Sequence, residues 1–130
     1  MPQGLQALRW GEAGGIDKEK FVRQLIKRRR SREGHFGPGL FSDPAWDLLL
    51  ELYSAKLAQC RCTISGIVDA SNVSQTTGIR WLDKLAERGL VTRMPDRYDL
   101  RRTFVELTHE GEGVMNDYFR CVHGLPEDRA

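Results

Sequence analysis

Two helix-like runs meet at a three-residue break, and that junction constrains the fold more than any other stretch. Thr63-Ile64-Ser65-Gly66-Ile67-Val68-Asp69-Ala70 halts at Ser71-Asn72-Val73, and Ser74 opens a second, longer run. Ser74 is placed to act as an N-cap, its hydroxyl accepting an orphan amide two or three residues on. After it, Gly78, Trp81, Leu82 and Leu85 recur at i, i+3, i+4 and i+7, one helical face. Gly89 follows Arg88 as a natural C′ residue, so the predicted helix spans Gln75 to Arg88. The first run offers Ile64, Ile67 and Val68 to a core. Asn72 sits where a turn needs a residue tolerant of left-handed φ. The resulting turn has the three- or four-residue length of a helix-turn-helix.

Leu90-Val91-Thr92-Arg93-Met94 reads as a short strand, Pro95 to Leu100 as a turn-rich tip, and Arg102 to Leu107 as a returning strand. The return alternates Thr103, Val105 and Leu107 against Arg102, Phe104 and Glu106. A hairpin tip bearing Arg97, Arg101 and Arg102 suits a negatively charged groove. Asp99 is spaced to pair Arg101 and hold its guanidinium in one orientation. The fold class expected is mainly α with a small β-wing: a winged helix-turn-helix, with flanking N- and C-terminal helices for dimerisation.

The polar face of the longer helix carries Gln75, Thr76, Arg80, Asp83, Lys84 and Glu87, and its first turn adds Thr77. Such helices present base-reading side chains near their N-termini. Gln pairs adenine, Arg pairs guanine, and Thr touches a thymine methyl or a phosphate. A polar helix face alone is equally an ordinary solvated surface, and the hairpin alone an ordinary surface hairpin; their combination and spacing carry the argument.

The residues then resemble a known family. Leu82-Asp83-Lys84-Leu85, Glu87-Arg88-Gly89-Leu90-Val91, Arg93, Pro95-Asp96, Asp99, Arg101 and Leu107-Thr108 are similar to the multiple antibiotic resistance regulator (MarR) family of winged-helix repressors. The resemblance runs without gaps from about Ser65 to Gly111, roughly a third of the chain. It implies that Arg101 enters a minor groove and that Ser74, Gln75, Thr76, Thr77 and Arg80 face a major groove of double-stranded DNA. It also implies a homodimer on pseudo-palindromic DNA, and a small aromatic ligand or a thiol oxidant as effector. Three positions depart from the family: Leu100 replaces an Arg beside the wing Arg, Asn72 replaces a Gly in the turn, and Val68 replaces a small Ala. Val68 is expected to alter how closely the two helices approach. Leu40 to Tyr53 resembles a narrower subgroup of small winged-helix proteins from alphaproteobacteria.

Charge is less telling. The net formal charge is +2 over 130 residues. Residues 1–65 hold eleven Lys/Arg against seven Asp/Glu, whereas residues 66–130 hold nine against eleven. DNA affinity must then rest on clustered cations and on dimerisation. With no long apolar run and no charged-then-apolar leader at Met1 to Gly15, a cytoplasmic chain without a membrane partner is expected.

The length fits a single domain over 16–130 behind a flexible 1–15, with 63–88 as helix-turn-helix and 90–107 as wing. Residues 16–32 and 109–123 are the expected dimerisation helices. In the first, Asp17 is the expected cap and Phe21, Val22, Leu25 and Ile26 the apolar stripe. Its end, Lys27-Arg28-Arg29-Arg30-Ser31-Arg32, admits a solvated helix terminus, a flanking phosphate contact or a targeting signal. Gly34 to Gly39 reads as a loop. Ser42 or Asp43 then caps a helix with Pro44 in its first turn; a Ser42 cap would pair Phe41 with Trp46 as a hydrophobic staple. Trp46, Leu49, Leu50, Tyr53 and Leu57, widened by Leu48 and Leu52, make it the most buried helix. Loss of Trp46 or Trp81 to Ala is expected to cost about 3–5 kcal/mol.

Thr108 is placed to cap a last helix with Val114, Met115, Tyr118, Phe119 and Val122 as its stripe, core or interface according to exposure. Gly111 and Gly113 are expected to weaken its first turns by about 1 kcal/mol each. Cys60, Cys62 and Cys121 lack zinc-finger spacing and read as small apolar residues beside helix ends rather than as a metal or thiol-sensing site. No paired carboxylates, nucleophile–His–acid set or phosphate loop is present, so neither an enzyme nor a cofactor is expected. The reading that best fits is a sequence-specific DNA-binding regulator, a homodimeric repressor. The competing one is a winged-helix module that binds another regulator rather than DNA.

Overall fold

The computed structural model describes residues 18–126. In chain order the elements are α1 (Lys18–Phe36), α2 (Pro44–Leu57), β1 (Cys62–Thr63), α3 (Ile64–Ala70), α4 (Gln75–Glu87), β2 (Val91–Pro95), β3 (Thr103–Leu107) and α5 (His109–His123). The fold is mainly α with a small antiparallel sheet ordered β1-β3-β2. The hairpin pairs Val91 with Leu107, Arg93 with Val105 and Pro95 with Thr103. This register turns Val91, Val105 and Leu107 to the core. β1 pairs Cys62 with Val105 and Thr63 with Phe104. Two residues are too few to show an alternating pattern, so this strand left no sequence signal.

α2 is the hub. Leu48, Leu50, Leu52 and Tyr53 are buried, and against them pack Phe21, Val22 and Ile26 of α1, Ile67 and Val68 of α3, Leu82 and Leu85 of α4, and Met115 and Phe119 of α5. Tyr53 and Phe119 stack with ring centroids 5.1 Å apart. The buried centre lies on Leu48, Leu52 and Tyr53, while Trp46 is only half-buried and meets Tyr118 edge-on at 4.9 Å. Trp81 is also half-buried. Neither substitution to Ala then reaches the full cost expected of a buried indole; each should stay below about 3 kcal/mol.

Helix ends follow local chemistry. Asp43, not Ser42, caps α2, its carboxylate accepting from the Trp46 amide. That shifts the frame by one residue and removes the Phe41–Trp46 staple; Phe41 instead meets Phe36 edge-on at 5.5 Å. Thr63, Ser74 and Thr108 cap α3, α4 and α5, each hydroxyl accepting an amide three residues on. Asn72 has φ +59° and Gly89 φ +77°, the left-handed positions expected of them. The expected Asp17 cap and the 1–15 segment lie outside the described residues.

α1 does not stop at Arg32. It continues through Gly34, His35 and Phe36, and Gly37 at φ +95° ends it, so the expected loop is three residues shorter. The helix ahead of this extra turn is held by tertiary ion pairs. Arg29 bonds Asp47 at 2.8 Å, and Glu51, buried in α2, takes Arg23 at 2.8 Å and Arg30 at 3.3 Å. The basic run is therefore partly an internal clamp, a role none of its three sequence readings contained.

His123, at the end of α5, stacks on Phe119 at 5.2 Å and meets Phe21 edge-on at 5.3 Å. Burial pushes its pKa down from 6.5, because the imidazolium is poorly solvated there. The folded chain thus binds a proton less readily than the unfolded one, and stability falls as pH drops below about 6.5. Urea titrations at pH 7.5 and pH 5 (conditions on the order of a unit either side) should show this loss, and His123→Phe should flatten it.

Candidate nucleic-acid interface

α4 projects its first turn because its other face is tightly held. Gly78, Leu82 and Leu85 are buried, and Gly78 lies against Val68 so closely that a Cβ there would sit 2.6 Å from both Val68 methyls. The helices of the helix-turn-helix approach through this glycine, which accommodates the larger residue at 68. Gln75, Thr76, Arg80 and Lys84 are left exposed on α4. The Ser74 hydroxyl is engaged as cap, accepting from the Thr77 amide at 3.2 Å, and Thr77 itself is half-buried. Lys84 lies nine residues beyond Gln75, and its ammonium rests 4.7 Å over the Trp81 ring. It is thus set apart from the first-turn cluster.

Three contacts brace this helix and the turn leading into it. Arg93 of β2 pairs with Asp83 of α4. On the other side, Arg30 donates to the Ala70 carbonyl at the end of α3, and the Asn72 amide donates to Glu33 at 2.6 Å. α1 therefore grips the turn that leads into α4. The sequence carried no sign of this, because Arg30 and Glu33 lie about forty residues from their partners.

The tip between β2 and β3 is ordered by its own carboxylates. Asp96 accepts the Tyr98 amide at 2.9 Å and pairs Arg102 at 3.6 Å. Asp99 accepts the Arg101 amide at 3.1 Å and both arms of its guanidinium, Nε at 3.0 Å and a terminal nitrogen at 3.2 Å. The side-chain bonds from Arg101, then its backbone bond, hold the Asp99 carboxyl below the usual carboxylate range. The Arg101 side chain remains 90 % exposed, a solvent-facing cation locked in one orientation. Arg102 is differently placed. It bonds Asp96, and its guanidinium lies 5.2 Å from the Phe104 ring, which Arg61 also covers at 3.9 Å. Arg97 is exposed at the tip.

An outward first turn on a helix-turn-helix, beside a hairpin with a pinned tip arginine, is the geometry of a winged helix. A family model described as a winged helix DNA-binding domain matches residues 58–111. That stretch is similar to such a domain, and the chain has a winged-helix fold. Its fold is similar to those of MepR, MarR and AbfR. MepR of S. aureus, solved in its DNA-binding conformation, superposes with a TM-score of 0.54 at 21% identity, covering 76% of this chain and 69% of that one. A mutant MarR from E. coli, complexed with operator DNA, gives 0.54 at 21% identity, covering 79% and 69%. AbfR of Staphylococcus epidermidis gives 0.53 at 20% identity in its reduced, DNA-bound form, covering 81% and 73%. Comparison with curated protein sequences gives no significant match.

The winged-helix domain corrects the reading of the cysteines. Cys60 and Cys121 are exposed, so only Cys62, half-buried in β1 and packed against the core, fits the small-apolar reading. Burial and the neighbouring Cys60 push the Cys62 thiol up, away from the reactive thiolate. Among the described residues no group of His, Cys, Asp and Glu is arranged to hold a metal ion, and no helix is long and apolar enough to cross a membrane.

Proposed function

We propose that this chain is a sequence-specific regulator of transcription that binds double-stranded DNA as a homodimeric repressor. Gln75, Thr76 and Arg80 of α4 read base edges in the major groove, and Arg101 enters the adjacent minor groove. The observation that carries the reading is the Asp99–Arg101 pair. A tip guanidinium that Asp99 immobilises yet leaves almost fully exposed is presented outward, and a DNA groove suits it. Ser74 acts as the cap that sets the first turn, Lys84, Arg97 and Arg102 contact phosphates, and Thr77 contributes through its backbone. A DNA-bound winged helix of this architecture is the state recorded for the E. coli MarR and S. epidermidis AbfR structures.

The homodimer is supported by α5. Val114, Tyr118 and Val122 recur every four residues and are 50%, 38% and 56% exposed, an apolar stripe that one copy leaves in water. Two copies would place half-sites about one DNA turn apart. A small aromatic molecule, or an oxidant reaching exposed Cys60 or Cys121, is the class of effector that fits this reading.

Arg101→Ala is expected to weaken duplex binding about tenfold at every sequence and to lower the slope of log affinity against log salt by about 1. Arg80→Ala is expected to relax preference at one base position, again by about tenfold. Fluorescence anisotropy over a salt series measures both, and folded variants that keep full affinity and preference would end the assignment. A second reading has its own observation. Tyr98 and Leu100, 92% and 83% exposed, precede Arg101 at the tip and suit a protein partner better than phosphate. Affinity for duplex DNA that ignores salt favours that alternative.

A further inference from the structure

The side chain that opens the recognition helix is not free to read a base in the usual two-handed way. Gln75 directs Nε2 toward two acceptors at once: the Asp69 carboxylate at 3.0 Å and the Ser65 carbonyl at 3.4 Å. Both belong to α3. A carboxamide nitrogen has two hydrogens, and these two acceptors use them both. The opposite orientation would set Oε1 against a carboxylate and a carbonyl, so the amide has one orientation here. Oε1 is what remains for a partner outside the chain.

Adenine is recognised by a carboxamide that donates to N7 while accepting from N6. With Nε2 committed to Asp69 and Ser65, the donating half is missing. We infer that Asp69 is a specificity-determining positioning residue: by holding Nε2 inward it makes Gln75 an acceptor-only reader of the major groove. The inference rests on the reading of α4 as the recognition helix. An acceptor-only group is satisfied by a base amino group, N6 of adenine or N4 of cytosine. It is opposed by thymine and guanine, which present O4, or O6 and N7, in the same place. The Gln75 position of the operator is therefore degenerate between adenine and cytosine. A single acceptor cannot separate them, because both bases offer the same donor.

Releasing Nε2 changes the code rather than only the affinity. Asp69→Ala leaves Gln75 able to rotate and form the two-bond adenine pair. Asp69→Asn keeps an acceptor oxygen for Nε2 while removing the charge, so it separates hydrogen bonding from the general effect of an acid near phosphate. Asp69 is exposed, and these changes leave the core untouched.

The test is selection of bound sequences from random duplex DNA with the full chain, its Asp69→Ala, Asp69→Asn and Gln75→Ala forms, each checked for a native melting transition. The position read by Gln75 is the one whose preference Gln75→Ala flattens. There the wild type is expected to take adenine and cytosine within about threefold of each other, and both over guanine and thymine by about tenfold. Asp69→Ala should raise adenine over cytosine to about tenfold, and Asp69→Asn should keep the wild-type ratio. An unchanged ratio in Asp69→Ala, a strong adenine preference already in the wild type, or an Asp69→Asn form that behaves like Asp69→Ala overturns the inference and leaves the DNA reading standing. A Gln75→Ala form that flattens no position likewise overturns only the inference, whereas a wild type that enriches no sequence removes the DNA reading itself, and the inference falls with it.

Discussion

Gly111→Ala should lower stability by about 3 kcal/mol, a large share of the roughly 5–15 kcal/mol that holds a domain of this size together. The cause is a single backbone approach. A Cβ on Gly111 would lie 2.1 Å from the Leu90 carbonyl oxygen and 3.0 Å from its carbon. That carbonyl has no easy way out, since it accepts the Thr108 amide at 3.0 Å and its own residue's amide donates to Leu85 at 3.0 Å. Moving it loosens the α4–β2 junction and the Thr108 cap of α5 together. The better helix propensity of Ala, about 1 kcal/mol, offsets only part of this. Gly113, two residues on, is the control. A Cβ there meets nothing within 4 Å, so Gly113→Ala should stabilise the chain by up to about 1 kcal/mol. Urea denaturation of the two variants, with unchanged m, should move the midpoint in opposite directions. A loss below about 0.5 kcal/mol for Gly111→Ala would mean that α5 does not dock on Leu90 in this way.

Gly78→Ala is expected to cost about 2–3 kcal/mol, and the loss should vanish when Val68 is shortened. The new methyl would meet both Val68 methyls at 2.6 Å and its Cβ at 3.1 Å. Rotating χ1 relieves this only in part, because it turns the Cβ hydrogen into the place of one methyl while the other methyl and a Cβ 3.1 Å away stay near. Val68 is fully buried, so its removal alone leaves a cavity and should cost about 2 kcal/mol. In the double variant the alanine methyl refills that space. Its stability should match Val68→Ala alone or exceed it, a coupling of about 2 kcal/mol in a double-mutant cycle. Additive losses would show that the helices part to accept the clash. The same cycle read by duplex affinity reports on function. If α3 and α4 tilt apart in Gly78→Ala, the first turn of α4 is misplaced and affinity falls with stability, while the double variant regains affinity and loses no more stability than Val68→Ala alone.

This pair shows how a family departure is resolved. Val68 stood in the sequence as a larger residue expected to alter how closely the two helices approach. The crossing is close all the same, because the opposing position is glycine. Helix periodicity marks both residues as inward but cannot say that they face one another. That requires the angle between α3 and α4, which the turn at Ser71–Val73 and the grip of Arg30 and Glu33 on it establish.

Local chemistry was legible from the chain alone. Ser74 and Thr108 hydroxyls bond amides three residues away, Asn72 adopts its left-handed φ, and Asp99 reaches Arg101 two residues on, because each interaction closes within one turn of backbone. The helix-turn-helix, the wing and the exposed polar face of α4 follow from those local rules together with the 3.6 and 2.0 periods. What only the tertiary structure decided involves partners far apart in the chain. The two-residue β1, the extension of α1 to Phe36, the pairing of Glu51 with Arg23 and Arg30, and the close approach of Gly111 to Leu90 are of this kind. So is the hold of Asp69 on Gln75 across the turn. A side chain's type is written in the sequence, but which of its donors and acceptors remain unspent is settled only when distant segments have taken their share.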